Sequence, residues 1–268
     1  MSYVTEVATH SPRHEWRCHD SSVSSILDTG SVSDMDFRAE IGTVVTRNAG
    51  PLGGGQTSFA FGFNGSSAIV LDSILASIAN KGTVVWWAKK ASTGSGGGRC
   101  FCSTAGTPQQ VVVEFIIRDA SDILYHIRVN GGSNNELKLL ETTPVDSTDW
   151  HMYSVVADNV TYAKLYKDGV LVSHTVDTQT GTCPDDAWYG DADNSYFFPA
   201  IGARVTTSAT PLVDGYFTGD IAEIFIVDNE LSAANILALW DAADVGGDAP
   251  LAKHQRRRGR RLFNAAAL

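Results

Sequence analysis

No run of apolar residues in this 268-residue chain is long enough to span a bilayer. Residues 1–6 have neither a basic stretch nor an apolar stretch of the kind that opens a secretory signal. The first absence predicts that the protein does not insert into a membrane. The second predicts that no secretory signal is present, so the protein acts where it is made or leaves the cell by another route.

Cysteine is also scarce. The four cysteines, Cys18, Cys100, Cys102 and Cys183, are too few and too scattered for a disulfide framework. The Cys-x-Cys spacing at 100–102 does not suit a zinc knuckle, and no second pair exists. We therefore expect small buried or half-buried thiols. A structural metal site is the second interpretation.

Sequence signals of catalysis are missing too. There is no Gly-x-Ser-x-Gly elbow, and the glycine-rich stretch 91–99 lacks the Gly-Lys-Ser/Thr ending of a phosphate loop. A glycosidase needs a pair of carboxylates on one face. Asp220 and Glu223 are three residues apart and would point to opposite sides of a regular strand, and Glu114 is alone on its strand. We therefore predict that the protein is not an enzyme.

Charge is plentiful but unevenly distributed. The chain has 20 basic and 30 acidic residues, a net charge of −10. Six of the basic residues lie within residues 253–261, which contain no acid, so the rest of the chain has 14 basic against 30 acidic residues and a charge near −16. Such a body repels phosphate, which argues against nucleic-acid binding through it.

Strand patterns dominate the chain, and one helix follows them. An apolar, β-rich run over residues 221–227 predicts a buried strand. Ser232 is a good N-cap for a short helix, with Ile236 and Trp240 on its apolar stripe. Asp168-Gly169 between alternating segments predicts a type I′ hairpin turn. We expect Trp86, Val155, Leu165, Ile224 and Trp240 to lie in or beside the core.

Four segments together resemble the laminin-G-like domain of the concanavalin A-like lectin superfamily. They are residues 59–70, residues 82–89, the hairpin of residues 150–158 and 163–172 with its Trp-His and Tyr-x-Asp-Gly motifs, and residues 216–240 with the Leu-Ser-x-x-x-Ile helix. The resemblance implies an all-β fold: a single antiparallel sandwich in jelly-roll order, closed by one short C-terminal helix. We expect the sandwich to occupy residues 1–245, and residues 246–268 to form a linker and an extended basic arm.

The N-terminal region carries a second resemblance. Residues 11–18 (Ser-Pro-Arg-His-Glu-Trp-Arg-Cys) and Asp28-Thr29-Gly30 are similar to a pattern in laminin-G-like proteins of tailed bacteriophages, although His14 and Cys18 depart from it. This implies a non-enzymatic virion structural protein, such as a capsid decoration, spike or tail appendage. It would be made in the host cytoplasm and displayed on the virion surface. The alternative function is a lectin module that binds host-surface glycans; the oligomeric state stays open, a homo-oligomer included.

A long polar loop, residues 177–196, holds the candidate binding residues. Carbohydrate binding needs exposed aromatic rings, and Trp188, Tyr189 and Tyr196 are the candidates. The alternative, which we favour for Trp188, is that its ring folds back and closes the edge of the sandwich.

The resemblance also implies a Ca²⁺ at the rim of the sandwich, and no other cofactor is expected. Asp158 lies where the family often has an acidic residue, and Asp185 and Asp186 in the long loop could supply further oxygens. The alternative is that these residues cap turns.

The C-terminal arm is the last candidate. We predict that it docks on an acidic virion protein through its arginines and an apolar end, namely Arg256, Arg257, Arg258, Arg260, Arg261, Leu262 and Phe263. Contact with packaged nucleic acid and a solvated, non-binding end are the alternatives.

Overall fold

The computed structural model describes residues 2–17, 28–31, 37–42, 45–71, 80–105, 111–129, 135–188, 198–205 and 213–245. These residues form two helices, α1 (Tyr3–Thr9) and α2 (Ala233–Ala243). They also form the following strands: β1 (His14–Trp16), β2 (Phe37–Gly42), β3 (Thr46–Ala49), β4 (Phe59–Asn64), β5 (Ser67–Leu71), β6 (Gly82–Lys90), β7 (Gly98–Ala105), β8 (Val111–Ile117), β9 (Ile123–Arg128), β10 (Glu136–Glu141), β11 (His151–Ala157), β12 (Lys164–Lys167), β13 (Val170–Leu171), β14 (His174–Gln179), β15 (Phe198–Ile201), β16 (Arg204–Val205), β17 (Val213–Asp214) and β18 (Thr218–Val227).

Two antiparallel sheets build a jelly-roll-like sandwich, which confirms the predicted fold class. Sheet A has the strand order β13-β12-β11-β6-β18-β4-β3, with β1 also paired to β18. Sheet B has the order β14-β10-β9-β8-β7-β15-β5-β2. A small hairpin, β16–β17, follows strand β15 of sheet B in the chain.

The main core lies between the sheets, because alternate residues of each strand point inward. Trp86 of β6 stacks on Tyr153 of β11, with ring centroids 5.5 Å apart, and meets Phe115 of sheet B at 5.6 Å. All five residues that the sequence predicts for the core are buried, and Trp240 is the most exposed of them at 5%.

A second apolar layer covers the outer face of sheet A. Trp240 of α2 stacks on Trp87 of β6 at 5.3 Å, and Tyr3 of α1 meets the same Trp87 ring at 6.0 Å. The Ser232 hydroxyl caps α2 by accepting a hydrogen bond from the Asn235 amide at 3.2 Å, as the sequence predicts. In contrast, α1 is not expected from the sequence, because its short span offers only Tyr3 and Val7 as a buried stripe.

The side chain of Gln56 joins the two helices. Its Oε1 accepts from the Tyr3 amide at 2.8 Å, and its Nε2 donates to the carbonyls of Ala242 and Ala243 at 3.1 and 3.3 Å. One amide group thus satisfies polar backbone atoms at the start of α1 and the end of α2, which helix termini otherwise leave without partners.

The predicted hairpin turn is confirmed. Asp168 and Gly169 have φ values of 53° and 76°, as a type I′ turn requires. A side chain at Gly169 would also crowd α2, because an added Cβ would lie 3.1 Å from the Leu237 Cα atom. The turn therefore supports the packing of the helix on sheet A.

Cys100, Cys102 and Cys183 are buried, as predicted; Cys18 lies outside the described residues. Burial raises the pKa of the Cys102 thiol well above its usual value, so this thiol stays protonated and unreactive. In the part of the chain that the structure describes, neither helix is long and apolar enough to cross a membrane.

Candidate functional site

A cavity of about 530 Å³ opens at one end of sheet A; we call it the Asp220 pocket. Its walls come from four strands that are neighbours in the sheet, β3, β4, β18 and β6. The lining includes Thr46, Asn48, Gly62, Asn64, Lys89 and Asp220. This volume falls in the range of small-molecule binding sites.

Strand register places three of the lining residues in one row. Asp220 of β18 lies opposite Gly62 of β4 on one side and opposite Lys89 of β6 on the other. Asp220 and Lys89 share the outer face with Ala222 and Trp87, which belong to the outer apolar layer. The pocket therefore continues the outer face of sheet A beyond the residues that contact the helices.

Gly62 forms the floor of the pocket, and a side chain there would displace its neighbours. A Cβ atom on Gly62 would lie 2.3 Å from Thr46 Oγ1 and 2.4 Å from Asn48 Nδ2. The missing side chain lets Asn48 reach across the glycine to Asp220, where its Nδ2 donates to Oδ1 at 2.5 Å.

The charges in the pocket are balanced. Asp220 is largely buried, and its Oδ2 pairs with Lys89 Nζ at 3.1 Å. The Lys89 ammonium also lies 5.2 Å from the centre of the Trp150 ring, a cation–π contact that fixes both side chains. The lining of the opening thus includes one carboxylate, the amide of Asn48 and two lysines, of which Lys89 pairs with Asp220 and Lys90 pairs with Asp146 at 2.5 Å.

A β-bulge changes the expected geometry of the second acid on β18. The register of β18 against β6 shifts between Ala222 and Phe225, and Glu223 has a φ of 47°. Glu223 accepts a hydrogen bond from Ser58 Oγ at 3.0 Å. The pKa of Tyr3 in the outer layer is raised mainly by the burial of Tyr3 and further by the negative charge of Glu223. The prediction that Asp220 and Glu223 face opposite sides is therefore wrong, because it assumes a regular strand. Glu223 is buried beneath α1 and does not line the pocket.

Sheet B carries a different polar cluster on its outer face. Glu114 of β8 and His126 of β9 are register partners, and His126 Nδ1 lies 2.7 Å from Glu114 Oε2. The other ring nitrogen lies 3.2 Å from Oε2 of Glu136 on β10. Arg99 Nε donates to Glu114, and Arg128 donates to Glu136 at 3.1 Å.

Glu114 is the buried centre of this cluster. Burial alone would raise the pKa of its carboxyl, but the hydrogen bond from His126 and the positive charges of Arg99 and Arg204 outweigh burial and lower the pKa to about 2. Glu114 is alone along its strand, as the sequence suggests, but neighbouring strands supply its partners. Glu114 therefore acts as a permanently ionised structural anion.

The predicted aromatic binding residues are not assembled as expected. Trp188 is fully buried and packs on Phe115 and Tyr125, with ring centroids 6.1 and 5.8 Å apart. It therefore cannot offer a face to a sugar, and the alternative that it folds back to close the sandwich is correct. Tyr189 and Tyr196 lie outside the described residues.

The predicted calcium ligands do not fit a cation. Asp158 Oδ1 accepts from the amides of Val160 and Thr161 at 3.0 and 2.8 Å, and Oδ2 pairs with Lys164 Nζ at 3.0 Å. Burial would raise the pKa of Asp158, but these donors lower it to about 2. An ammonium already neutralises this carboxylate, which is the turn-capping role.

The structure describes the other two predicted ligands, Asp185 and Asp186, but not residues 189–197 of the same loop. Asp185 accepts from Gln179 Nε2 at 2.6 Å, and Asp186 is half-buried nearby in the chain. Among the residues with described positions, no group of three or more acids, histidines or cysteines could hold a metal ion. The arginine arm, from Arg256 to Phe263, lies outside the described residues and is neither supported nor contradicted.

Comparison with known proteins agrees with this architecture. A family model described as the concanavalin A-like lectin/glucanases superfamily matches residues 63–237. No curated protein sequence matches the chain.

Several solved structures share the fold at low sequence identity. Domain 4 of AbnA, a GH43 extracellular arabinanase from Geobacillus stearothermophilus solved with arabinotriose, has a TM-score of 0.54 and 17% identity, covering 85% of this chain and 98% of that chain. The binding domain of botulinum neurotoxin DC, solved with rat synaptotagmin II, has a TM-score of 0.60 and 12% identity, covering 87% of this chain and 52% of that one. The chain thus spans about half the length of the neurotoxin binding domain.

Proposed function

Because the chain belongs to the concanavalin A-like lectin/glucanases superfamily, we propose that it is a non-enzymatic module that binds a saccharide in the Asp220 pocket. The observation that carries the proposal is the arrangement of Asp220, Asn48 and Lys89 around the bare backbone of Gly62. The arabinotriose in the structure of the AbnA domain is consistent with a saccharide ligand on this fold.

The pocket suits the hydroxyl groups of a sugar. A hydroxyl both donates and accepts, so it can donate to a carboxylate and accept from an amide or ammonium at once. Asp220 uses one contact on each oxygen, which leaves lone pairs for a ligand. The flat floor at Gly62 lets a ring approach the backbone, and Trp150 beside Lys89 offers apolar ring surface. Since Asp220 and Lys89 balance each other, we infer that the bound sugar is neutral.

The same geometry argues for binding without cleavage. Glycoside hydrolysis uses a pair of carboxylates, about 5 Å apart in retaining enzymes and farther apart in inverting ones. Of the described residues that line the pocket, Asp220 alone carries a carboxylate, and it is held in an ion pair. A single carboxylate cannot supply both of the groups that such a hydrolysis requires.

The test is a glycan array followed by calorimetric titration of the best neutral hit. Asp220→Asn keeps the shape of the side chain but removes its charge, and we expect affinity to fall about tenfold or more. The matched control is Asp228→Asn, the same change in an ion pair with Arg13 at the other end of β18. Unchanged affinity in the Asp220 variant, with a normal melting temperature, would show that the sugar binds elsewhere.

We further propose that the module is displayed on the surface of a virus particle, as a capsid decoration, spike or tail appendage. The support is the charge asymmetry: residues 253–261 carry six cations and no acid, beyond a body near −16. Such an arm can reach an acidic capsid or tail protein that the body would repel, and arginine pairs with carboxylates through both of its donor edges. The N-terminal likeness to laminin-G-like proteins of tailed bacteriophages points the same way.

Co-sedimentation with particles that lack this protein tests the display proposal. Full-length protein should bind more tightly than a 1–250 variant, and its binding should weaken with salt because charge attraction is screened. Some binding should persist in high salt through the apolar residues Leu262 and Phe263. Equal binding by the shortened variant would mean that the arm is not the attachment.

A further inference from the structure

Two arginines converge on the outer face of sheet B, on the side of the molecule opposite the Asp220 pocket. Arg99 of β7 donates through Nε to Glu114, and Arg204 of β16 places Nη1 3.6 Å from the same Glu114 oxygen. Both guanidiniums are mostly but not fully buried, at 19% and 14% exposure. Glu114 neutralises only one of these two positive charges.

Asp214 of β17 supplies the second negative charge from a much more exposed position. Arg204 Nε donates to Asp214 Oδ1 at 2.8 Å and its Nη2 donates to Oδ2, while Arg99 Nη1 lies 3.7 Å from Oδ1. The Asp214 side chain is 49% exposed, against 1% for Glu114. An exposed ion pair contributes little to stability, so an outside carboxylate can compete for the same guanidinium edge.

The surface beside the arginines fits a sugar ring better than a simple anion. Ile116, Leu124 and Leu140 are half-buried and lie in the same register row as Arg99, on three adjacent strands. This apolar row can pack against the C–H face of a ring. In the parallel row, Glu114 and His126 are buried, and Lys138, at 27% exposure, can offer its ammonium to a ring hydroxyl.

We propose that Arg99 and Arg204 form a second binding site, which takes the carboxylate of an acidic saccharide in the place that Asp214 now fills. Asp214 then acts as an internal competitor that lowers the affinity of the site. The net charge of −10 disfavours long polyanions, so the expected ligand is a sugar with a single carboxylate, of the uronic-acid kind. This proposal is independent of the Asp220 pocket, which lies on the other sheet.

The experiment titrates sodium glucuronate into the full-length protein at low ionic strength, with glucose, acetate and a glutamate-rich peptide as comparison ligands. Wild-type protein should bind glucuronate weakly, and any binding of glucose, a neutral sugar that the Asp220 pocket could take, should be the same in the wild type and in the Asp214 and Arg204 variants. Asp214→Asn removes the competitor, and we expect about fivefold tighter binding of glucuronate. Arg204→Lys keeps the charge but loses the paired donors, and binding should weaken about tenfold. Asp228→Asn, on sheet A, should change nothing.

Each other outcome counts against the proposal. If Asp214→Asn lowers the melting temperature and leaves glucuronate unbound, the Arg204–Asp214 pair is only structural. If acetate or the peptide binds as tightly as glucuronate, the site takes carboxylates but is not a saccharide site. Because Asp214 is half exposed, its variant should fold even where Arg204→Lys does not, and the affinity gain then decides the matter.

Discussion

The outer faces of the two sheets are stabilised in different ways. Sheet A covers most of its outer face with apolar side chains and two helices, and places the Asp220–Lys89 ion pair at one end. Sheet B instead ties neighbouring strands together with a charge network centred on Glu114. An apolar layer keeps its stability when a polar residue outside it is replaced. A buried charge network loses stability when any one of its members is removed, because a buried charge is then left without its partner. We therefore expect the two faces to respond differently to substitution and to acid.

Removing the helix anchor should give the largest effect. Trp240→Ala deletes the ring that stacks on Trp87, and we expect the free energy of unfolding to fall by about 3 to 5 kcal/mol. Denaturant unfolding measures this loss. The control is Leu171→Ala on the edge strand β13, where the side chain is 55% exposed and little should change. A loss near that of the control would mean that α2 does not depend on Trp240.

Breaking the network on sheet B should come next. Glu114→Gln keeps the shape but leaves His126 and two guanidiniums facing a neutral amide, at a cost of about 3 kcal/mol. The matched control is Glu230→Gln, an exposed partner of Lys164, with an expected cost below about 1 kcal/mol. Equal losses of stability in the two variants would show that burial does not increase the contribution of Glu114 to the free energy of unfolding.

Filling the floor of the Asp220 pocket should cost less stability but more binding. Gly62→Ala pushes a methyl group against Thr46 Oγ1 and Asn48 Nδ2, both at the ends of side chains that can shift, so we expect a loss of about 1 to 2 kcal/mol. Saccharide affinity should fall more sharply, because Asn48 can no longer reach Asp220. If calorimetry shows the same saccharide affinity in this variant as in wild type, the saccharide does not bind in the Asp220 pocket.

Acid should weaken the molecule gradually through Glu114. Its pKa is about 2 in the folded protein and near 4.5 unfolded, so its charge stabilises the fold fully above pH 4.5. That stability is lost as pH falls from 4.5 towards 2, at no more than about 1.4 kcal/mol per pH unit for one proton. Asp158 contributes in the same direction and range. Urea titrations at several pH values across this range give the free energy of unfolding as a function of pH. This free energy should fall less steeply with pH in Glu114→Gln than in wild type. An equally steep fall in both would assign the acid response to other groups.

Local patterns were enough to predict the parts of the fold that depend on nearby residues. The Asp168-Gly169 turn and the Ser232-capped helix follow from backbone conformation and capping, which a few adjacent residues decide. The family-like segments then predicted the antiparallel sandwich and its closing helix. In contrast, α1 has too short an apolar stripe to stand out, since contacts with distant residues such as Trp87 and Gln56 make it stable.

The candidate sites could not be predicted, because register between distant strands creates them. Asn48 and Asp220 are 172 positions apart, and His126 meets Glu114 and Glu136 only through the pairing of β8, β9 and β10. The bulge at Glu223 likewise leaves no trace in the spacing of acids. Trp188 is an exception, because the interpretation favoured from the sequence, that its ring folds back against the sandwich, is confirmed by its burial.

The Gln56 side chain has a consequence for how the molecule can be held. Through one amide group it links the backbone of Tyr3 to that of Ala242 and Ala243, so the first and last helices meet on the same face. A tether joined at either end would pull on neighbouring points of one rigid surface rather than on opposite ends of the sandwich. Force applied there would act first on the α1–α2 layer and would leave the strands of sheet B in register.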